Sequence, residues 1–369
     1  MLSIVDIIEE SLTLGGSDIH LLCGHPPSLR LYGNLIFLEK FPALTPEMME
    51  KLFCEIAPER CQMELEEVLT TDFAYAYTTC RFRVAAFYQK GTIGINMRVL
   101  PSRFLTFEQI GLPDMMTDIL QTPKGIMIVT GPTGSGKTTT LASMIQWINN
   151  NCQRHIITIE DPIEYYFEAD KSIFTQREVK VDVPSFAEGT VRAMRMDPDI
   201  ILIGEMRDPA TIMAAVTAAE TGHFVFSTLH TTGADRTVER VVGVFPTEQQ
   251  EQVRIQLAGT LVGVVSQILL PKKGGGGRVP CLEIMICTNA IRHLIREKKE
   301  HSIISAIQTG QNLGMRTMDD ALFAHYRRGL IDKEDVLRHA ASRSEAVQRV
   351  GQIDKELMGG GGASTAMAR

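Results

Sequence analysis

The sequence predicts an α/β protein, in which a large domain built on a parallel-rich sheet follows a small α+β domain. Three observations carry this. Beyond residue 113, short apolar runs alternate with helical patterns, as the βα units of a parallel sheet do. Before residue 101 the segments are short and strand-like, with two helical stretches among them. Four apolar runs of the second half end in chemically capable residues, and open parallel sheets bind ligands beyond the carboxyl ends of their strands.

Taken in order, a helix over Ile4–Leu14 stops at Gly15-Gly16. Strands at Asp18–Leu22 and Ser28–Leu31 are punctuated by Pro26-Pro27. A second helix runs from Pro46 to Ile56, with Thr45 as its N-cap and proline at the first helical position. Strands at Asp72–Tyr77, Cys80–Tyr88 and Thr92–Leu100 complete a first domain of residues 1–100. Residues 101–113, between Pro101 and Pro113, read as a linker. The second domain, 114–358, carries strands at Gly125–Thr130, His155–Ile159, Ile200–Gly204, Phe224–Ser227 and Val264–Leu270. The glycine run Gly274–Gly277 reads as a hairpin or flexible loop tip, and Thr317–Gly329 and Lys333–His339 as helices. The low-complexity tail 359–369 is expected to be disordered.

Composition narrows the function. The 369 residues are 44% hydrophobic and 22% charged, as in an ordinary soluble protein of two or three domains. A formal net charge of −7 gives no support to nucleic-acid binding. The amino-terminal segment carries acidic residues and reads as an amphipathic helix, not a secretory signal, and no window has the run of about 20 apolar residues a membrane span needs. A cytoplasmic protein is expected, touching membrane only through partners. The seven cysteines, without a CxxC, read as reduced and mostly buried thiols.

The run Gly125–Thr130 opens into GPTGSGKT (131–138), a complete GxxxxGK[ST] pattern followed by a helical stretch. Its glycines let backbone N–H groups wrap phosphate oxygens, and the helix points its positive end at the same anion. Thr133, Gly134, Ser135, Gly136, Lys137, Thr138 and Thr139 therefore form the expected ATP site, with Lys137 on the β- and γ-phosphates and the Thr138 hydroxyl on Mg²⁺. The run Ile200–Gly204 ends in Glu205, expected to orient or deprotonate the attacking water. Gly204 stands where the metal-binding acid of other phosphate-loop enzymes stands, so Glu160 and Asp161, at the end of the His155–Ile159 run, are the candidates for Mg²⁺; Asp161 precedes Pro162 and equally suits a turn. His223 and His230 flank Phe224–Leu229, and either reads as a structural histidine or, for His230, as a sensor of the γ-phosphate. In Cys80–Val84, Arg81 and Arg83 alternate with apolar residues and share a strand face, with Arg98 on the next strand. They form a solvated basic face or are presented to a neighbour's nucleotide; Arg192, Arg195 and Arg207 compete for that role.

GPTGSGKTTT, ITIEDPIEY (157–165), RMDPDIILIGEMRD (195–208), ETGHFVFSTLHT (220–231) and AIRHLIRE (290–297) occur in this order. Together they resemble the type II/IV secretion ATPase superfamily, and within it the PilT-type ATPases of type IV pilus retraction, from Gly16-Ser17-Asp18-Ile19-His20 to about Gly329. AIRHLIRE is similar to a retraction motif that reads AIRNLIRE, with His293 in place of asparagine; its apolar residues also fit a plain amphipathic helix. The resemblance implies a PAS-like first domain, a RecA-like second domain, a homohexamer, and ATP bound between domains with interface arginines, for which Arg81 and Arg98 are chosen. It implies that Glu205 is the catalytic glutamate and that Glu160, His223 and His230 complete the site. It further implies docking on the inner-membrane pilus platform protein, PilC-like, and the company of an accessory retraction ATPase. A pilus-assembly or type II secretion ATPase is the near alternative, and a RecA-like DNA translocase the alternative of a different class.

Overall fold

The computed structural model describes residues 2–31, 34–78, 80–100 and 103–360. The chain divides into two compact units, residues 1–103 with 162–166, and residues 104–161 with 167–369.

In the first unit, α1 (Ile4–Leu14) is followed by β1 (Asp18–Leu21), β2 (Ser28–Leu31) and β3 (Asn34–Phe37), then α2 (Pro46–Ile56), α3 (Glu59–Val68), β4 (Thr70–Tyr77), β5 (Cys80–Gln89) and β6 (Thr92–Leu100). The strands form an antiparallel sheet in the order β3-β2-β1-β6-β5-β4. Ser3 caps α1, Gly15 ends it in the left-handed conformation, and the Thr45 hydroxyl accepts the Met48 N–H at the start of α2. Ile4, Ile7 and Ile8 of α1 and Leu52 and Phe53 of α2 are buried in one core with Phe82, Val84 and Ile95 of the sheet. β3 and α3 were not among the expected elements.

The second unit begins earlier than expected. Within the segment read as a linker, α4 (Phe107–Ile110) forms, and Ile110 and Leu112 are buried beside α5 (Met116–Leu120). The chain continues through β7 (Gly125–Thr130), α6 (Lys137–Asn151), β8 (His155–Glu160), β9 (Ile173–Glu178), α7 (Phe186–Ala193), β10 (Ile200–Ile203), α8 (Pro209–Glu220) and β11 (Phe224–Leu229). Then come α9 (Ala234–Gly243), α10 (Thr247–Thr260), β12 (Leu261–Pro271), β13 (Arg278–Ile286), α11 (Asn289–Arg296), α12 (Ile303–Thr309), α13 (Met318–Arg327), α14 (Lys333–His339) and α15 (Arg343–Gly360). The sheet order is β13-β12-β7-β11-β10-β8-β9, parallel except for the β12–β13 hairpin, whose tip is the glycine run. Both faces are covered. Ile126 and Ile128 of β7 pack towards α8 and α9, while Met127 and Val129 pack towards Leu141, Met144 and Ile145 of α6. Double burial is why these strands read as unbroken apolar runs.

Cys61, Cys281 and Cys287 are buried and Cys54 is exposed, so full burial holds for fewer of the thiols than expected. Burial pushes the Cys281 thiol up to about 12 and that of Cys287 to about 11, which keeps both protonated. Among the described residues no helix is long and apolar enough to cross a membrane. The expected disordered tail lies outside the described residues except for 359 and 360, which close α15.

Candidate active site

The strand order places four strand ends side by side. β7, β11, β10 and β8 are consecutive and parallel, so the turns after Thr130, Leu229, Ile203 and Glu160 leave the sheet along one edge. The phosphate-loop segment, His230, Glu205 and Glu160 lie on that edge in this order.

After β7, the loop runs from Gly131 to Gly136 and opens directly into α6, whose first turn has no side-chain cap. The first N–H groups of the helix are therefore available to an anion. Lys137 is 9% exposed, and its ammonium donates to the carbonyls of Gly131 (2.9 Å) and Pro132 (3.1 Å), tucked into the turn. Ser135 is 2% exposed, and its hydroxyl has no hydrogen-bond partner among the described residues. A buried orphan hydroxyl inside a glycine-rich turn fits a polar ligand such as a phosphate group. Thr133 and Gly134 are exposed at the mouth, and Thr138 and Thr139 are partly buried on the first turn of α6.

Glu205 follows β10. Its carboxylate accepts from the Arg207 guanidinium at 2.7 Å and lies 3.4 Å from His230 Nε2. The backbones of β10 and β11 hold this pair together: the Ser227 hydroxyl donates to the Ile203 carbonyl, the Thr228 hydroxyl to that of Gly204, and the Met206 N–H to that of Thr228. Gly204 donates its N–H to the Ile159 carbonyl, and a Cβ there would lie 3.3 Å from the Phe186 ring. A side chain at Gly204 would press on the Phe186 ring of α7, which would have to give by a few tenths of an ångström. Glu160, 7% exposed, accepts the Thr158 hydroxyl at 2.7 Å. Asp161 follows it and is exposed. No cluster of three or more His, Cys, Asp or Glu side chains fit to hold a metal occurs among the described residues. The oxygen donors at this edge, Thr138, Glu160 and Asp161, suit Mg²⁺, which takes one or two protein ligands beside phosphate and water.

His223 lies at the other edge of the same sheet, and Arg81 and Arg98 belong to the first unit. His223 precedes β11 at the amino edge of the sheet: its carbonyl accepts the N–H of Gly125, the first residue of β7, and its ring is bonded to the Ala218 carbonyl. A six-residue strand spans about 20 Å, so within one chain His223 is a strand length away from the phosphate loop. It is removed from the group that His230 joins. Arg81 donates to the Ile163 carbonyl at 2.5 Å and lies over the Tyr166 ring, 3.8 Å from its centroid. Arg98, directly across from Arg83 on β5, is paired with Asp18 at 2.8 Å. Of the competing arginines, Arg207 joins the Glu205 cluster, whereas Arg192 is paired with Glu188 on α7.

The sequence reading missed a set of polar side chains behind the site. The Thr130 hydroxyl lies 2.6 Å from the Thr231 carbonyl, Ser266 accepts the Gly233 N–H, and Gln267 bonds both the phosphate loop and α6. The one signal for the last two is a Ser-Gln pair inside the otherwise apolar LVGVVSQILL of β12.

The Type II/IV secretion system protein family matches residues 73–338. The type IV pilus retraction ATPase PilT of Pseudomonas aeruginosa is 46% identical over 340 residues, which cover 92% of this chain and 98% of PilT. A twitching motility protein of Neisseria gonorrhoeae is 44% identical over 87% of this chain and 86% of its own length. A crystal structure of the pilus retraction motor PilT with bound ADP matches with a TM-score of 0.87 and 47% identity, covering 94% of this chain and 99% of that one. With a complete phosphate-loop motif, an adjacent strand-end glutamate and this similarity along nearly its whole length, the chain belongs to the type II/IV secretion system protein family and is an ATPase of its PilT branch.

Proposed function

We propose that the chain is a ring-forming motor that converts ATP hydrolysis into type IV pilus retraction. The observation that carries this is the Glu205–His230 pair beside the phosphate loop, in a chain similar to the retraction ATPase PilT across 98% of that protein. Lys137 swings from the loop carbonyls to the β- and γ-phosphates, and the loop N–H groups and the α6 terminus neutralise their charge. Thr138 would ligate Mg²⁺, with Glu160 or Asp161 acting on it directly or through water, and the ion would supply charge neutralisation to the phosphates. Glu205 orients or deprotonates the attacking water, with Arg207 and His230 fixing its carboxylate, and His230 senses loss of the γ-phosphate. The chain assembles as a homohexamer in which the first unit contributes arginine across an interface. It docks on a PilC-like platform protein at the cytoplasmic face of the inner membrane, with an accessory retraction ATPase beside it.

Deletion of the gene in its host tests the direction of the motor. Cells with many pili and no twitching are the expected result. Bald cells would assign the chain to pilus assembly instead.

A further inference from the structure

We propose that Gln267 is a positioning residue for the nucleotide, setting the conformation of the phosphate loop from the neighbouring strand. This rests on the reading of that loop as the ATP site. Ser266 lies across from Thr130 in the parallel β12–β7 pair, so Gln267 comes level with Gly131 as the loop leaves the sheet. Alternation along β12 sends the two side chains to opposite faces. Ser266 holds the Gly233 N–H in the turn after His230, while Gln267 reaches the phosphate loop.

The Gln267 side chain is 2% exposed and uses both ends of its amide. Its Nε2 donates to the Ser135 carbonyl at 2.7 Å, and its Oε1 accepts the Thr140 hydroxyl at 2.7 Å. The first contact fixes a peptide plane. In a trans peptide the carbonyl and the following N–H point in opposite directions, so turning the Ser135 carbonyl towards Gln267 turns the Gly136 N–H away from it. An inward-facing carbonyl would repel phosphate, whereas the N–H on the other side of the peptide attracts it. The second contact fixes the first turn of α6, where the Thr140 N–H already bonds the Gly136 carbonyl. One amide therefore ties the orientation of a loop N–H to the start of the helix.

The same residue explains the two outer glycines of the motif. A Cβ on Gly131 would fall 2.1 Å from the Gln267 carbonyl oxygen, and one on Gly136 would fall 2.9 Å from Gln267 Nε2. Both glycines also have positive φ, 145° and 88°. The loop is thus packed onto Gln267 at both ends, not merely free to bend.

The test measures binding of a fluorescent ADP analogue with Mg²⁺, and ATP turnover, in the full chain. Q267M keeps the volume and removes both hydrogen bonds; a rise of about tenfold in Kd and in KM is expected, the scale set by leaving a buried carbonyl and hydroxyl unpaired. Q267E keeps the acceptor for Thr140 but sets a carboxylate against the Ser135 carbonyl. Its affinity is expected to be poor at about pH 8 and to recover towards about pH 5, where the protonated carboxyl again donates to that carbonyl. A role confined to holding the fold together would leave the pH profile of Q267E parallel to that of the unaltered protein, at a temperature where both are folded. Unchanged Kd in Q267M, or a parallel pH profile in Q267E, overturns the proposal. Should Q267M fail to fold, the Q267E titration decides. K137A separates this idea from the one beneath it: binding unaffected by K137A removes the loop as the nucleotide site, whereas binding lost in K137A but kept in Q267M and Q267E removes only the role of Gln267.

Discussion

Glu205 is an acid whose neighbours prepare it for one task. Arg207 and His230 hold its carboxylate at the end of β10, and the Thr228–Gly204 bond fixes the strand end that carries it. Glu205→Gln preserves the size of the side chain and its capacity to accept those bonds while removing the base. Turnover should fall by about 10²–10⁴ with nucleotide binding retained; phosphate release and analogue binding measure the two, and equal turnover in both proteins would remove Glu205 from the chemistry. That residue was legible because it ends an apolar run, and the carboxyl end of a parallel strand is where chemistry collects. The same rule separates the two histidines. Both flank the segment Phe224–Leu229, but parallel strands have two different edges, and the edge with the phosphate loop is the one His230 follows. Gln267 showed only as half of a polar pair in an apolar run, and its role was not legible, since its partner Ser135 lies 132 residues away and only the sheet order makes them neighbours.

At the level of elements, legibility followed unbroken apolar burial; β13 (RVPCLEIMI) is mostly buried but interrupted by Pro280 and Glu283, and was not expected as a strand. β7, β10 and β11 are buried along their whole length and stand out as apolar runs. β9 (IFTQRE), at the edge of the sheet and only partly covered, carries no such signal and was missed. The elements beyond the sheet are joined by polar contacts that patterning cannot reveal, and Glu283 on β13 is the clearest. It is 4% exposed and accepts the N–H of Ala234 at the start of α9 (2.8 Å) and of Met318 at the start of α13 (3.3 Å). Burial raises its pKa above the ordinary 4.5, and those two N–H bonds only partly offset this. A carboxyl with a raised pKa takes up a proton on folding, so stability declines as pH rises from about 4.5 through the folded-state pKa and is level above it. Glu283→Gln cannot titrate. The melting midpoint of the unaltered protein should therefore fall relative to that of E283Q as pH rises through this window. A rise over the same range would contradict the burial argument.

For the whole molecule, the open matter is which cation a ring would lend from one subunit to the next. Arg81 is held by a carbonyl and an aromatic face within the first unit, and using it elsewhere would break both contacts. Arg98 is less committed. Its side chain is 69% exposed, and among the described residues it meets Asp18, itself only 14% exposed, through Nε alone, so the other guanidinium donors can reach a phosphate group. Arg98 is thus the better donor across the proposed interface, and subunit mixing tests this. A ring of K137A subunits keeps Arg98 but cannot grip its own nucleotide; a ring of R98A subunits grips nucleotide but lacks the donor. Each alone should be nearly inactive, because a borrowed arginine is worth about 10³–10⁵ in rate. In rings assembled from equal amounts of both, roughly a quarter of the sites pair an intact Lys137 with a neighbour's intact Arg98, since head-to-tail contacts mix at random. Turnover should then rise far above that of either parent ring. A mixture no faster than the mean of its two components would place the action of Arg98 within its own subunit, or outside catalysis altogether.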